Sequence, residues 1–286
     1  MSSFTDKSIN IAFFGSTGGC ANACLTYTLK NGYKASALAR TPSKLQTQLL
    51  SQGLDQATID NNLTIIQGDA TDVEVIKRTL SPEKNNGKMV SLIISGLGGP
   101  PKMTASLQPI TFDNPNICEN SMNAILSAIE LLQPPTATEK EKPILVAIST
   151  TGISSGPRDV PYLLYPLWHF LKVPHKDKKK MEHAIFDSPS KRLLRGAIVV
   201  RPTLLVSDHS ITSGKGWKTL KVGTENKPAL GHSIQRADVG EWIFEEMVKA
   251  KGEKWLNEKP KTGHHTLIAL TPNPYSVKAT FHWKEV

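Results

Sequence analysis

The spacing of apolar residues changes several times along the chain, and each change marks an element. Ile11 to Phe14 is an uninterrupted apolar run, which predicts a strand buried on both faces of a parallel sheet. Gly15 ends it. Ala21, Cys24, Leu25 and Thr28 then fall on one helical face, so a helix follows with that small, apolar stripe turned inward. Asn31-Gly32 supplies a left-handed stop, and Tyr33 to Ala39 alternates as a second strand. The rhythm continues with strands over Asn62 to Gln67, Met89 to Ser95, Ile144 to Ser149 and Val199 to Thr203. Between and after them, helices are predicted over Val73 to Leu80, Glu119 to Leu132 and Asp238 to Ala250, with a late edge strand at His264 to Leu270. Strands alternating with helices predict an α/β fold, a doubly wound and mostly parallel Rossmann sheet.

Length adds a limit. A chain of 286 residues with 39% apolar content can bury one sizeable core, so residues 1–286 are expected to form one nucleotide-binding unit. Its substrate-binding region is expected mainly from residues 151–180 and 203–286. Within these, Ser207 to Pro228 is rich in glycine, lysine and serine and predicts a mobile loop over a pocket. No basic segment precedes a long apolar stretch, so neither a signal peptide nor a membrane span is expected. The three cysteines, Cys20, Cys24 and Cys118, make a poor disulfide framework and point to a reducing, cytoplasmic setting. Cys20 and Cys24 lie one turn apart and are expected to pack rather than bind metal, and His264-His265 has no third ligand at suitable spacing, so no metal site is expected.

The chemistry starts at the first turn. Gly15, Ser16, Thr17, Gly18 and Gly19 link the first strand to the first helix, where glycines give a tight turn and let a pyrophosphate approach the main chain. The helix start then aims free N–H groups at the phosphates. Arg40 ends the second strand where an NAD site would carry a carboxylate, and Thr41, Ser43 and Lys44 add hydroxyls and a second cation. This favours NADP(H), the alternative for Arg40 being a solvated surface charge. Ligands of such sheets sit beyond the carboxyl ends of the strands. There Asp69 and Ala70 are candidates for the adenine side, while Ser95, Gly96, Leu97 and Gly98 are candidates beside the nicotinamide ribose. Asp72 reads as a helix N-cap. Ser149 and Thr150, at another strand end, are placed to hydrogen-bond a substrate carbonyl.

The net charge of +9 invites a nucleic-acid reading, but apart from Lys176 to Lys180 the cations are scattered, with no interleaved aromatics. A polyanionic cofactor is the simpler partner. Lys178 shares a helical face with Met181 and Ile185, so it points inward, either toward a ribose hydroxyl of the cofactor or into a salt bridge with Asp177 or Glu182. His169 and His175 are candidates for proton transfer, the alternative for a lone histidine being a structural or exposed role, and Tyr162 and Tyr165 sit in an aromatic stretch broken by Pro161, Pro166 and Pro174. That stretch reads as a substrate-pocket wall, as core packing or as a dimer surface. Asp238 reads as a capping residue.

The glycine turn, Ala37-Leu38-Ala39-Arg40-Thr41-Pro42-Ser43-Lys44-Leu45, Gly68-Asp69-Ala70-Thr71-Asp72, Val199 to Thr203 and Arg236-Ala237-Asp238-Val239-Gly240 together resemble atypical short-chain dehydrogenase/reductases. Within that group the chain is similar to the NmrA-like and averufin-oxidase-like proteins of fungal secondary metabolism, over roughly residues 8 to 250. The resemblance implies NADP(H) and a small aromatic or polyketide-like carbonyl or enone substrate. Carbonyl-reducing members of the broader superfamily carry a tyrosine four residues before a lysine; Lys178 matches the lysine, but Pro174 stands where the tyrosine would be. The expectation is therefore an NADPH-dependent oxidoreductase with Lys178, Ser149 and Thr150 as catalytic candidates. An NADP(H)-sensing regulator with a protein partner, and a dehydratase, isomerase or cyclase that retains NADP(H), are the alternatives. A homodimer is a further expectation; nucleic acid and membrane are not expected partners.

Overall fold

The computed structural model of the chain describes residues 11–99, 102–103, 110–111, 113–207 and 210–263. In chain order the strands are β1 (Ile11–Phe14), β2 (Ala35–Ala39), β3 (Leu63–Gln67), β4 (Leu92–Ser95), the hairpin pair β5 (Lys102–Met103) and β6 (Ile110–Thr111), then β7 (Ile144–Ile148). After them come β8 (Gly196–Pro202), β9 (Leu204–Val206), β10 (Lys221–Gly223), β11 (Ser233–Gln235) and β12 (Lys261–Gly263). The helices are α1 (Gly19–Lys30), α2 (Pro42–Ser51), α3 (Gln56–Asn62), α4 (Val73–Leu80), α5 (Ile117–Leu132), α6 (Tyr165–Phe170), α7 (Lys172–Phe186), α8 (Ser188–Leu193) and α9 (Arg236–Ile243).

The main sheet has the order β10-β12-β8-β7-β4-β1-β2-β3. All its pairs are parallel except β10 with β12. From β3 to β8 this is the doubly wound arrangement, with the order reversing between β1 and β4. The two-residue period of a strand explains why both faces are covered: Ile11 and Phe13 join a core with α1 and α9, whereas Ala12 and Phe14 join one with α4, α5 and α7. Phe13 and Phe14 are fully buried, each worth about 1.5–3 kcal/mol relative to exposure. Close approach of α1 to α9 depends on Gly240, where a Cβ would lie 2.5 Å from that of Ala23 and 2.6 Å from the Cys20 carbonyl oxygen. Cys20 and Cys24 are small residues in this seam, buried and unbridged as expected.

Three expectations change. Ser207 to Pro228 is not uniformly irregular: Lys221–Gly223 joins the main sheet as an edge strand, antiparallel to β12. Asp238 does more than sit in a first turn: its carboxylate accepts from Lys215 N at 2.7 Å and Gly216 N at 2.8 Å, pinning the 214–216 turn onto α9. The helix predicted over 238–250 starts earlier, at Arg236, and widens into a π-helix over Phe244–Lys249. The edge strand expected at His264 to Leu270 lies outside the described residues, as does the His264-His265 pair.

Candidate nucleotide and substrate site

At the point where the sheet order reverses, the turn after β1 and the tail after β4 touch. Gly15 has φ +71°, and a Cβ there would come within 2.7 Å of the Gly96 backbone, so only glycine fits the turn against this neighbour. Gly96 N donates to Phe14 O at 2.9 Å, and Gly18 N closes the turn onto Gly15 O at 2.9 Å. Helix α1 then begins with Gly18 as N-cap, no side-chain cap and no acidic residue in its first turn. Its first N–H groups and positive dipole end are thus left for an anion. Two hydroxyls beside it, Ser16 Oγ and Ser95 Oγ, are buried with no hydrogen-bond partner among the described residues, a costly state unless another group satisfies them. Thr17, Leu97 and Gly98 complete the two tails.

The turn is braced by residues that motif reading overlooks. Asn22 Nδ2 donates to Ser16 O at 2.9 Å, and Gln52 Nε2 donates to Asn22 Oδ1 at 3.1 Å. Gln48 Nε2 reaches Thr17 O at 3.4 Å. The available signal was Asn22 itself, a fully buried amide between two alanines in an otherwise small and apolar face.

On the flank, Arg40, Ser43 and Lys44 are exposed at the carboxyl end of β2 and the start of α2. Asp69 stands beside them at the end of β3. It accepts from Thr71 Oγ1 at 2.6 Å and Thr71 N at 2.9 Å, and the Thr71 hydroxyl, its backbone N–H and the Arg40 charge together hold its carboxyl below the usual range against burial. Ala70 packs partly onto the core. Asp72 accepts from Glu74 N and Val75 N, capping α4 as predicted.

Lys178 makes neither of its two expected salt bridges. Its Nζ donates to Leu97 O and to Ile148 O, both at 2.8 Å, tying the tail of β4 to the end of β7. Asp177 instead accepts from Cys118 N at 2.9 Å and Glu119 N at 3.0 Å, neutralising the start of α5 from another helix. Met181 and Ile185 are buried on the lysine's face, as the helical spacing requires. Cys118, beneath this contact, has its thiol pushed up to about 11 by burial.

One turn further along α7, Glu182 accepts the Ser149 hydroxyl at 2.6 Å and receives Arg201 Nε at 2.9 Å; the Arg201 Nη2 donates to its other oxygen. Arg201 Nη1 also reaches Glu225 at 2.6 Å. Burial would raise the Glu225 carboxyl, but the Ser154 hydroxyl and the Arg201, Lys261 and Lys259 charges hold it below the ordinary value. Lys261, fully buried, stands 3.2 Å from Asp159 Oδ2 and 3.1 Å from Ser154 Oγ. These ionic residues come from α7, β8, β12 and two loops, and none was singled out for this role from the sequence, because their pairing is visible only once the elements are packed. Ser149 therefore has its proton engaged, whereas Thr150 makes only a 3.2 Å contact with Thr151 O.

Past Thr150, Trp168 Nε1 donates to Thr151 O at 3.1 Å. His175 lies beside that indole, with ring centroids 5.9 Å apart. Burial pushes His175 down to about 4 despite the nearby Asp159, which fits the structural alternative rather than a proton-transfer role near neutrality. The Tyr162 to Phe170 stretch is not core: Tyr162 is 74% and Tyr165 54% exposed. Among the described residues no helix is long and apolar enough to cross a membrane, and no cluster suited to a metal is present.

The candidates thus gather at the carboxyl ends of the strands. The glycine turn, the Ser95–Gly98 tail, Lys178, Ser149 and Thr150 are bonded or adjacent at β1, β4 and β7, while Arg40, Ser43, Lys44, Asp69 and Ala70 lie on the β2–β3 flank.

Known proteins can be set against this geometry. Residues 15–249 match the family described as NAD(P)H-binding. The chain is 47% identical over 244 residues to the reductase pytE of Aspergillus terreus, covering 84% of this chain and 91% of that protein. It is 42% identical over 274 residues to the oxidase pynE of Aspergillus niger, covering 87% and 96%. Its fold is similar to a short-chain dehydrogenase/reductase from Veillonella parvula solved in complex with NADP, with a TM-score of 0.59, 14% identity and coverage of 89% and 94%. With the glycine turn built at the sheet's reversal point and the family match spanning residues 15–249, the chain belongs to the NAD(P)H-binding family.

Proposed function

We propose that the protein is an NADP(H)-dependent oxidoreductase that acts on a small aromatic or polyketide-like carbonyl or enone. The observation that carries this reading is Lys178, fixed by two main-chain carbonyls between the tails of β4 and β7. An ammonium has three N–H donors, and the third meets only the weak thioether acceptor of Met181 at 4.0 Å, which a ribose hydroxyl would outcompete. The residues present fit a dinucleotide: the α1 start is uncapped, Ser16 and Ser95 have unsatisfied buried hydroxyls, and Arg40 and Lys44 offer a 2′-phosphate two exposed cations. When bound, the nicotinamide supplies or accepts a hydride. Thr150 then orients the substrate oxygen, Ser149 holds the end of β7 through Glu182, and the indole of Trp168 screens the site from water.

Mixing the protein with NADPH and a panel of quinones and enones, and following nicotinamide absorbance, tests this. Substrate-dependent NADPH loss is expected; tight NADPH binding without turnover across the panel would overturn it. Pro174, which leaves no phenol one turn before Lys178, favours a second reading as an NADP(H) sensor or a non-redox enzyme. Product formed equally with NADP⁺ would select the non-redox case, and a pull-down partner released by one oxidation state would select the sensor.

A further inference from the structure

A cavity of about 360 Å³ opens just beyond the end of β7, two residues past Thr150, and it falls within the range of small-molecule sites. One wall is Trp168. Its indole is locked by the bond to Thr151 O, and its nitrogen lies where any Cβ on Gly152 would collide, so the ring rests on bare backbone. Gly152 has φ +84°, a second reason for glycine there. Tyr165 forms another aromatic part of the lining.

The charges in this cavity are unequal. Asp159, the acid in its lining, is already engaged: Lys261 stands 3.2 Å from one carboxylate oxygen, and Gly152 N donates to the other at 3.1 Å. Arg158 is different. Its guanidinium lies 3.9 Å above the Tyr162 ring, Nη1 donates to Val160 O at 3.0 Å, and among the described residues it forms no ion pair with a carboxylate. Ring stacking and that carbonyl hold the planar fork while leaving further N–H donors for an anion. A flat aromatic wall with one positioned cation and a neutralised acid suits one ligand class.

We propose that this cavity is the acceptor-substrate site and that Arg158 selects a planar aromatic molecule bearing an acidic oxygen, a carboxylate or an enolate. The inference rests on the oxidoreductase reading for its placement beside Thr150, but its test is a binding measurement. Calorimetry with 1-hydroxy-2-naphthoate and with its methyl ester serves as the probe pair, each with and without NADPH. The acid should bind at least about tenfold tighter than the ester, since charge-assisted bidentate bonds are the strong ones. Arg158→Met should bring the acid down to the ester's affinity, with Arg158→Lys recovering only part because it lacks the fork. Trp168→Phe should weaken acid and ester alike. Circular dichroism and NADPH titration of each variant report that it is folded.

Equal binding of acid and ester to the wild type, unchanged acid binding in Arg158→Met, or no binding of either probe would overturn the proposal. Acid binding that survives without any NADPH affinity would uphold the cavity and overturn the cofactor reading, so the two failures are distinguishable.

Discussion

The two ends of the site treat their polar groups in opposite ways. Around the glycine turn, donors are left open: α1 starts without a cap, Ser16 and Ser95 keep unsatisfied hydroxyls, and Arg40 and Lys44 face solvent. Beneath the end of β7, charges are closed on one another, with Glu182, Arg201, Glu225, Lys261 and Asp159 joined through Ser149 and Ser154. The difference teaches that one region has donors to offer an anion, whereas the other ties the strand ends together. An open array gains its partners on binding, whereas a buried ion network must be complete before anything binds.

The comparison predicts its largest effect in the closed region. Arg201→Met leaves Glu182 buried beside only the Ser149 hydroxyl and the more distant Lys259, and should cost about 3–5 kcal/mol in urea unfolding. A loss under about 1 kcal/mol would mean that the network is not structural.

Next comes His175, which packs beside the same region. Its folded pKa of about 4 lies below the ordinary 6.5, so the neutral form is favoured by folding. The stability it contributes is complete above pH 6.5 and is lost as pH falls toward 4, by up to about 3 kcal/mol. His175→Gln should therefore flatten the acid limb of a stability-versus-pH curve; an unchanged limb would rule this origin out.

The open region should respond in binding instead. Arg40→Ala removes a cation that can make a charge-assisted bond, worth about 1.5–3 kcal/mol, so the preference for NADPH over NADH should fall by roughly 10- to 100-fold in fluorescence titrations. If both cofactors lose affinity equally, the arginine is reading something other than the 2′-phosphate. The smallest effect belongs to Asp72→Ala, which removes the α4 cap and should lower stability by about 1 kcal/mol with NADPH affinity unchanged. A shift in cofactor affinity there would join Asp72 to the open region.

Much of the open region was legible along the chain because its chemistry is local. Gly15, Gly18 and Arg40 act within one strand-turn-helix-strand unit, so spacing alone brings them near one another. The closed region was not legible for the converse reason. Lys178 finds its acceptors 81 and 30 residues away, and Arg201 finds Glu182 19 residues away on a different element. Inward orientation of Lys178 followed from the positions of Met181 and Ile185, but two carbonyl oxygens leave no mark in a sequence. Asp238 shows the same limit: a carboxylate in a first turn reads as a cap, and its bonds to the 214–216 turn appear only once that loop is packed against α9.

Hydrophobic period and the glycine turn established the central strands, the helices between them, their parallel winding and the place of the nucleotide turn, since burial on two faces and a positive-φ glycine are properties of short segments. Packing settled the rest. Which acid neutralises which base, whether Ser149 keeps its proton free, and which of the aromatic residues wall a cavity all depend on distances between segments far apart in the chain, and those distances exist only after the sheet has brought the segments together.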